Sequence, residues 1–384
     1  MAEKQTKLGW QTWRFEQMAT NVNVRIDNPS ESGMEHYVGL EHLDPDSLRI
    51  RRWGSPSDVE AGKLFFKTGD IIFAKRRAYQ RKLGVAEFDG ICSAHAMVLR
   101  AKPEVVLPEF LPFFMQSDLF MNRAVEISVG SLSPTINWKT MAVQEFALPP
   151  MEMQRHLTEA LIAIEEESNA LEMLNCASDR LLRSLMIEHF DADYPALVTV
   201  ANLGTWHSGG TPARGNASFW GGMIPWISPK DMKISELDTA EEKLTEAGAG
   251  SGLKLMPKNT IMIVVRGMIL AHTFPVARTL VSATFNQDMK ALVVGPEFRP
   301  KYIQYWFQHA APRYLQLVSA SSHGTKRLES DKLFSLSVPK IALEAQDELI
   351  EQVDGVRDGV RKAEERRSSA LDMKRLFLND NLMV

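Results

Sequence analysis

Few residues of this chain are placed to perform covalent chemistry. The stretch Trp206-His207-Ser208-Gly209-Gly210 puts a base beside a nucleophile and two glycine amides. Sequence neighbours seldom form a catalytic pair, however, and no Gly-x-Ser-x-Gly turn frames this serine. A Walker phosphate loop, a His-Glu-x-x-His motif and a zinc-type cysteine spacing are absent. We therefore predict no catalytic residue, no metal site and no cofactor bound by this chain.

Binding of nucleic acid has more candidate residues. The segment Lys75-Arg76-Arg77-Ala78-Tyr79-Gln80-Arg81-Lys82 holds five cations in eight positions, together with one aromatic ring and one amide. In the second half of the chain, Lys326-Arg327 follows a serine-rich stretch. Arg and Gln read base edges, whereas basic side chains and loop amides bind phosphate. Basic clusters in both halves therefore favour DNA binding over a solvated charged loop.

The overall composition is that of a globular protein, and its charges are segregated. The 384 residues are 45% hydrophobic and 24% charged, with a net charge of −4. Residues 149–194 contain 3 basic and 10 acidic residues, whereas residues 195–338 contain 15 basic and 10 acidic residues. No apolar run reaches the roughly 18 residues of a membrane span, and no signal-peptide core follows the N-terminus. We expect a cytoplasmic protein with no membrane partner.

An internal repeat positions the basic clusters. Phe66–Phe73 resembles Met256–Ile263 at an offset of 190 residues, and Arg76 aligns with Arg266 at the same offset. Two further matches downstream have offsets of 192 and 190 residues. Collinear matches at a nearly constant offset indicate a duplicated unit. Strand-like runs and Gly/Pro-rich turns indicate that each unit is an α/β domain followed by a long helix.

The two predicted helices, at residues 151–190 and 341–378, each have an apolar stripe that needs a partner helix. The stripe consists of Leu157, Leu161, Ile164, Leu171, Leu182 and Leu185 in the first helix and of Leu349, Val353, Val356, Val360 and Ala363 in the second. The simplest solution is that the two helices pack on each other. Gly355 and Gly359 conflict with this pattern, because each costs about 1 kcal/mol relative to Ala in a helix. The conflict is unexplained from the sequence, and a close helix crossing or a helix break there would account for it.

Several longer motifs together resemble one known family. Residues 209–212 read Gly-Gly-Thr-Pro, and residues 219–232 read Phe-Trp-Gly-Gly-Met-Ile-Pro-Trp-Ile-Ser-Pro-Lys-Asp-Met. A second marker begins at Gly-Ser-Leu-Ser-Pro-Thr and covers residues 130–154, with a counterpart at 324–346. Over essentially its whole length the chain thus resembles the specificity subunits of type I restriction-modification systems. The first domain departs from the pattern, since Tyr37–Leu40 stands where the second has Ile-Pro-Trp-Ile.

The resemblance implies an architecture and a function. It implies two α/β (α+β) target recognition domains, separated by two long helices that form an antiparallel coiled coil, in a pseudo-twofold internal repeat. The predicted divisions are residues 1–148 and 195–338 for the recognition domains, and 149–194 and 339–384 for the spacer helices. Such subunits bind an asymmetric two-part sequence in double-stranded DNA and have no catalysis of their own. Two methyltransferase subunits that use S-adenosylmethionine are the expected partners, and two restriction/translocase subunits that use ATP and magnesium join them in some systems.

Residue type and position, rather than a family motif, select the candidate DNA contacts. For the first half-site we predict Arg76, Arg77, Tyr79, Gln80, Arg81 and Lys82. For the second half-site we predict Arg214, Lys230, Arg266, Lys326 and Arg327. Ser131, Ser133 and Thr135 are predicted to contact phosphate where the first domain meets its helix.

Three alternatives remain open from the sequence. The chain could be a coiled-coil scaffold whose domains bind protein and whose basic loops only confer solubility. It could be the specificity subunit of a different restriction class, in which one fused partner both cuts and methylates. It could also be an unrecognised enzyme centred on His207 and Ser208.

Overall fold

The computed structural model describes residues 9–320 and 324–382. The chain divides into two compact units: unit 1 is Met1–Met173 with Ala363–Val384, and unit 2 is Leu174–Lys362. Each unit therefore combines one mixed α/β region with parts of both long helices. The four domain boundaries proposed from the sequence remain predictions.

Unit 1 contains two four-stranded sheets and a separate strand pair. Its strands are β1 (Gln11–Arg14), β2 (Ala19–Val22), β3 (Arg25–Ile26), β4 (Tyr37–Val38), β5 (Lys63–Phe66), β6 (Ile71–Phe73), β7 (Leu83–Val85), β8 (Gly90–Cys92), β9 (Met97–Ala101) and β10 (Glu145–Leu148). Its helices are α1 (Phe15–Met18), α2 (Phe110–Gln116), α3 (Asp118–Glu126), α4 (Trp138–Ala142) and the first part of α5 (Met151–Phe190). The sheets have the orders β2-β9-β6-β7 and β3-β5-β8-β4, and β1 pairs with β10.

Unit 2 repeats much of this arrangement. Its strands are β11 (Leu197–Thr199), β12 (Gly204–Ser208), β13 (Trp220–Ile227), β14 (Glu236–Leu237), β15 (Glu242–Leu244), β16 (Ile261–Val264), β17 (Val276–Thr279), β18 (Thr284–Phe285), β19 (Met289–Val294), β20 (Ser319–Ala320), β21 (Lys326–Arg327) and β22 (Ser337–Pro339). Its helices are α6 (Glu246–Ala249), α7 (Pro300–Leu317), α8 (Ser330–Leu333) and the first part of α9 (Leu343–Leu382). The larger sheet has the order β12-β19-β16-β17-β14, the smaller one β15-β13-β18, and β11 pairs with β22.

The strand orders confirm the repeat in spatial terms. The run β2-β9-β6-β7 of unit 1 corresponds to β12-β19-β16-β17 of unit 2, and β6 precedes β16 by the 190 residues seen in the sequence. The parallel pair β4–β8 likewise corresponds to β13–β18. Tyr37–Val38 therefore occupies the place of Trp226–Ile227, which is the strand predicted from the sequence but with the alignment shifted by two residues.

Aromatic side chains form a large part of the core of each unit. In unit 1, Phe114 packs edge-on against Phe146 with ring centroids 5.4 Å apart, and Phe120 joins both. In unit 2, fully buried Tyr302 and Trp306 lie on α7. Each aromatic side chain buries about 150–250 Å² and dominates the packing energy of such a core.

Both long helices run for 40 residues, and their paired segments are antiparallel. In unit 1, Lys374 bonds Glu165 at 2.6 Å and Arg367 bonds Glu172 at 3.0 Å, so the numbering falls on one helix as it rises on the other. In unit 2, Met186 shares the core with Leu349 and Val353. The predicted fold class is thereby confirmed.

The predicted helix stripe varies in depth along its length. Its buried members are Leu157, Leu161, Leu349, Val353 and Ala363. Its half-buried members are Ile164, Leu171, Leu182, Leu185, Val356 and Val360. The apolar stripe is therefore most deeply buried where the helix also packs on an α/β region. Leu157 and Leu161, for example, belong to the core of unit 1.

The structural explanation proposed for Gly355 and Gly359 is wrong. α9 continues through both glycines, so there is no helix break. A Cβ atom added at either position would meet nothing within 4 Å among the described residues, so there is no close crossing there. Both glycines lie on an exposed surface of the helix.

No helix in the described part of the chain is long and apolar enough to cross a membrane.

Candidate nucleic-acid interface

Two basic segments that are far apart in the sequence meet in each unit. In unit 1, the residues after β6 bond to those before α4: Arg77 N donates to Pro134 O at 2.7 Å, and Ile136 N donates to Lys75 O at 3.0 Å. An isolated bridge joins Arg76 to Thr135. We call residues 75–77 with 133–136 bracket 1.

Unit 2 has the same backbone arrangement, which we call bracket 2: residues 265–267 with 326–328. Gly267 N donates to Lys326 O at 3.0 Å, and Leu328 N donates to Val265 O at 2.9 Å. An isolated bridge joins Arg266 to Arg327. The structure thus brings together Arg76, Arg77, Ser133 and Thr135 in one bracket, and Arg266, Lys326 and Arg327 in the other.

Bracket 1 holds a strained arginine. Arg77 has φ +60°, in the left-handed region, whereas the equivalent residue of bracket 2 is Gly267 with φ +139°. The left-handed conformation raises the free energy of a residue with a Cβ by about 1–2 kcal/mol, whereas glycine adopts it almost without cost. The Arg77 guanidinium donates to Ser133 Oγ at 3.1 Å, and its side chain is exposed. Unit 1 thus keeps an arginine where the backbone favours glycine, as functional sites often do.

The positive charge of bracket 1 has no acidic counterpart among the described residues. Arg76 Nη1 lies 3.3 Å from His95 Nε2, and neither Lys75 nor Arg77 forms an ion pair within that part of the chain. Burial, followed by the charges of Arg76, Lys75 and Lys63, lowers the pKa of His95. His95 is therefore neutral at pH 7, since its ordinary pKa is about 6.5, and it can accept a hydrogen bond from Arg76.

Bracket 2 has nearby carboxylates instead. Arg266 lies 3.8 Å from an Asp288 oxygen, and Arg327 lies 3.1 Å from a Glu329 oxygen. Lys326 is half-buried and makes no ion pair among the described residues. Both arginine side chains remain exposed, but their field is partly neutralised.

The loop of bracket 1 is a closed hairpin that presents its tip to solvent. Val129 N donates to Thr135 O at 3.1 Å, and Thr135 N donates back to Val129 O at 3.0 Å. Gly130 allows the turn with φ +117°. Ser131 is exposed at the tip, and the adjacent Leu132 is 88% exposed.

Two residues predicted to contact DNA, Arg81 and Lys82, instead bond to groups within unit 1. Arg81 bonds Asp46 at 2.7 Å, Asp118 at 2.9 Å and the Gln116 carbonyl at 2.5 Å, and its side chain is only 19% exposed. Lys82 donates to the Leu40 carbonyl at 3.0 Å. These groups stabilise unit 1 and are not free for a phosphate.

Tyr79 and Gln80 lie on the short helical turn that follows bracket 1. Tyr79 is exposed, Gln80 is half-buried, and neither side chain makes a hydrogen bond within the described residues. Both are therefore available to a ligand that approaches bracket 1.

Arg214 and Lys230 belong to the region of β13 rather than to bracket 2. Both outer nitrogens of Arg214 bond to the Glu242 carboxylate. Its guanidinium also lies 4.1 Å from the Trp220 ring centroid and 4.7 Å from that of Trp226. Lys230 is exposed on the turn after β13. Arg214 is thus held by a carboxylate and two aromatic rings, whereas Lys230 is an exposed surface lysine.

A polar cleft next to bracket 1 was not anticipated as a site. It has a volume of about 660 Å³, and its lining includes Lys75, Asn21, Asn23, Asn137 and Thr140. Two signals in the sequence could have revealed it: Lys75 begins the basic segment, and Asn21 and Asn23 are two apart and thus on one face of an extended chain.

The arrangement at His207 and Ser208 gives no support to catalysis. Ser208 Oγ accepts a hydrogen bond from Lys290 Nζ at 2.8 Å, and within the described residues none joins it to His207. Burial, followed by the charge of Lys254, lowers the pKa of His207. Nowhere in the described ranges do three or more acidic, His or Cys side chains form a group that could hold a metal ion.

Comparison with solved structures identifies the class of fold. The chain superimposes with a TM-score of 0.60 and 20% identity on a chain from a study titled "Structural basis underlying complex assembly and conformational transition of the type I R-M system", covering 98% of each. It superimposes with a TM-score of 0.59 and 13% identity on the S subunit of a type I restriction-modification system from M. genitalium, covering 98% of this chain and 96% of that one. The fold is that of these type I system proteins.

Sequence comparison indicates a narrower class of similar proteins than the fold does. The chain is 38% identical over 158 residues to the specificity subunit of the EcoR124I/EcoR124II type I restriction enzyme of Escherichia coli, and 27% identical over 155 residues to that of MjaIX from Methanocaldococcus jannaschii. The matches cover 41% and 39% of this chain, and the chain spans only 39% and 35% of those relatives. No family model matches the chain. The resemblance to type I specificity subunits predicted from the sequence is confirmed.

Proposed function

We propose that this chain is the DNA sequence-recognition subunit of a type I restriction-modification complex. In this proposal unit 1 reads one half of an asymmetric two-part site and unit 2 reads the other. The observation that carries the proposal is the pair of brackets, which have one backbone arrangement but different side chains. A shared backbone would place each reader on DNA in the same way, while different side chains would select different bases.

The free charge of bracket 1 supports contact with phosphate. Arg76 and Arg77 have no acidic partner among the described residues, so a phosphate would not need to displace a carboxylate. Ser133 and Thr135, which hold the bracket together, have hydroxyls of the kind that also bind phosphate oxygens.

The long helices are the proposed spacer and docking surface for two methyltransferase subunits, and for two restriction/translocase subunits where these exist. Apolar side chains remain exposed on them: Leu174 is 51% exposed and Leu181 is 50% exposed on α5, seven residues apart on one face. Exposed apolar patches of this kind mark interaction sites. In this proposal S-adenosylmethionine, ATP and magnesium belong to the partner subunits, and the chain itself performs no catalysis.

A salt titration tests the proposal against a protein-binding scaffold. The complex of this chain with the methyltransferase subunits from the same genome is titrated with double-stranded DNA at salt concentrations from about 50 to 200 mM. Phosphate contacts predict a steep linear fall of log affinity with log salt. DNA affinity that is absent, or that is insensitive to salt, would contradict the proposal and favour the scaffold.

A further inference from the structure

We propose that the polar cleft beside bracket 1 reads base edges of the first half-site, and that Lys75 is a specificity-determining residue that selects guanine there. This inference rests on the proposed function and adds to it the residues that distinguish bases. Lys75, Asn21, Asn23 and Asn137 line the cleft together.

Lys75 is an unusual lysine for this chain. Its side chain is half-buried and makes neither a hydrogen bond nor an ion pair within the described residues. Burial, with a smaller contribution from the charge of Arg25, lowers its pKa. A partly desolvated ammonium group without a partner is unfavourable, and such groups cluster at binding sites. A ligand rich in hydrogen-bond acceptors would relieve this cost.

The other polar groups of the cleft match base edges. Asn137 Oδ1 accepts from Lys139 N at 3.1 Å, which leaves its amide NH₂ as a donor. Asn21 and Asn23 make no side-chain hydrogen bond among the described residues. Lysine recognises O6 and N7 of guanine, and asparagine pairs with N6 and N7 of adenine. The chemistry of the cleft is therefore that of a major-groove reader.

The position of the cleft separates base reading from phosphate binding. Arg77 is exposed at bracket 1, whereas Lys75, two residues earlier, is half-buried and lines the cleft together with apolar side chains such as Met97 and Trp138. An exposed cation binds any phosphate, but a recessed one contacts only a group that enters the cleft. The exposed Arg77 would thus hold the DNA backbone while the cleft meets the bases.

Unit 2 has different residues at the equivalent positions. The backbone bonds align Lys75 with Val265, and the strand registers align Met97, on the rim of the cleft, with Lys290. Lys290 is already bonded to Ser208 Oγ. Lys75, just after β6, and Lys290, on β19, therefore come from different segments of the two units. The inference predicts that a change at Lys75 affects one half-site only.

The test is methylated-base mapping in cells that express the methyltransferase subunits with Lys75→Met, which keeps the length of the side chain and removes its charge. We expect the recognised motif to lose its preference for guanine at one position of one half-site, with discrimination falling about 10-fold or more. The other half-site should be unchanged. Lys67→Met is the matched control, because Lys67 is an exposed lysine in the turn between β5 and β6 and does not line the cleft.

Three outcomes would overturn the inference while leaving the proposed function intact. They are an unchanged motif and rate, a uniform loss of methylation at every site with the motif intact, and the same effect from Lys67→Met. A wild-type chain that directs no sequence-specific methylation would instead contradict the proposed function itself. If Lys75→Met fails to assemble, Asn23→Ala, at an exposed position of the cleft, is expected to relax a different position of the same half-site. An unchanged motif in that variant would also overturn the inference.

Discussion

Brackets 1 and 2 show how one backbone arrangement can support two different surfaces. Both are closed by a pair of matching main-chain hydrogen bonds, yet bracket 1 presents Arg77 where bracket 2 has Gly267. Bracket 1 lacks carboxylates among the described residues, whereas Asp288 and Glu329 lie beside the arginines of bracket 2. Main-chain bonding thus preserves the position of each bracket, and the side chains are free to differ.

The units also differ in how they hold the long helices. In unit 1, Asp118 bonds Arg375 at 3.2 Å and Asn379 at 2.7 Å, which ties α3 to the end of α9. In unit 2, Asp354 of α9 bonds Lys301 at 2.7 Å and also the hydroxyl of Tyr305, on α7. The acidic and basic partners are thus exchanged between the units. The acid belongs to the α/β region in unit 1 and to the long helix α9 in unit 2.

The largest effect is expected from removing the free cations of bracket 1. Arg76→Ala with Arg77→Ala should weaken DNA binding by the assembled complex about 100-fold, because two charge-assisted hydrogen bonds of about 1.5 kcal/mol each are lost. The salt slope should fall by about two. Assembly with the methyltransferase subunits, measured by size-exclusion chromatography, should not change.

Arg77→Gly is the matched control for backbone strain at bracket 1. It reproduces the residue of bracket 2 and relieves the left-handed conformation. If the guanidinium binds DNA, this variant loses affinity although it is no less stable. Wild-type affinity in Arg77→Gly would assign the loss in the double variant to Arg76 or to misfolding.

A smaller effect is expected from the acid that ties α9 to unit 1. Asp118→Ala should destabilise unit 1 by about 2 kcal/mol, since it removes hydrogen bonds from charged groups. Hydrogen exchange should become faster in residues 363–382 and not in residues 343–362. Equal acceleration of exchange in both segments would contradict the claim that Asp118 stabilises only the part of α9 in unit 1.

The effect of Asp118 should also depend on pH. Burial by itself would raise the pKa of Asp118, but hydrogen bonds from Arg375 and Asn379 and the charge of Arg81 lower it overall. Because the folded pKa is lowered, the stabilisation is present above the ordinary carboxyl pKa of about 3.9 and is lost as the pH falls through the lowered value. Denaturation of the wild type and of Asp118→Ala should therefore converge at low pH. A constant difference between them would contradict the ionic explanation.

The carboxylates of bracket 2 allow a test in the opposite direction. Asp288→Asn with Glu329→Gln should strengthen DNA binding by roughly 10-fold or less, because each change frees an exposed arginine from partial neutralisation. Arg266→Ala with Arg327→Ala should weaken binding by less than the corresponding change in bracket 1. Binding curves at one fixed salt concentration measure both effects. Equal losses in the two brackets would remove the electrostatic distinction between the units.

The smallest effect is expected in the unit 2 part of α9. Gly355→Ala and Gly359→Ala should each stabilise the chain by up to about 1 kcal/mol, since the added methyl groups meet open space. Thermal unfolding measures this, with exposed Ser368→Ala as a control helix substitution. A loss of complex assembly in the glycine variants alone would mean that a partner packs closely on that surface.

The sequence predicted the positions of strands and helices better than it predicted the partners of individual side chains. The apolar repeat at an offset of 190 residues placed β6 and β16, and the helical pattern placed α5 at 151–190. Main-chain structure of this kind follows from local hydrophobic periodicity, which is visible in any short window. The two long helices could therefore be predicted without knowledge of distant contacts.

The use of individual cations could not be predicted, because it depends on distant partners. Arg81 and Arg76 look alike in the basic segment, but Arg81 meets Asp46 and Asp118, which are 35 and 37 residues away in the sequence. The cleft around Lys75 is likewise assembled from residues that are distant in the sequence, near 21, 97 and 137. Only the folded structure separates the cations that stabilise unit 1 from those that remain free.

The most direct test of sequence recognition by two unlike units is methylated-base mapping of the source genome with and without this chain. The account predicts methylation at one asymmetric motif, with two short specified sequences separated by an unspecified stretch, that disappears when the chain is deleted. A methylation pattern that does not depend on the chain, or a motif that is a single uninterrupted sequence, would contradict it.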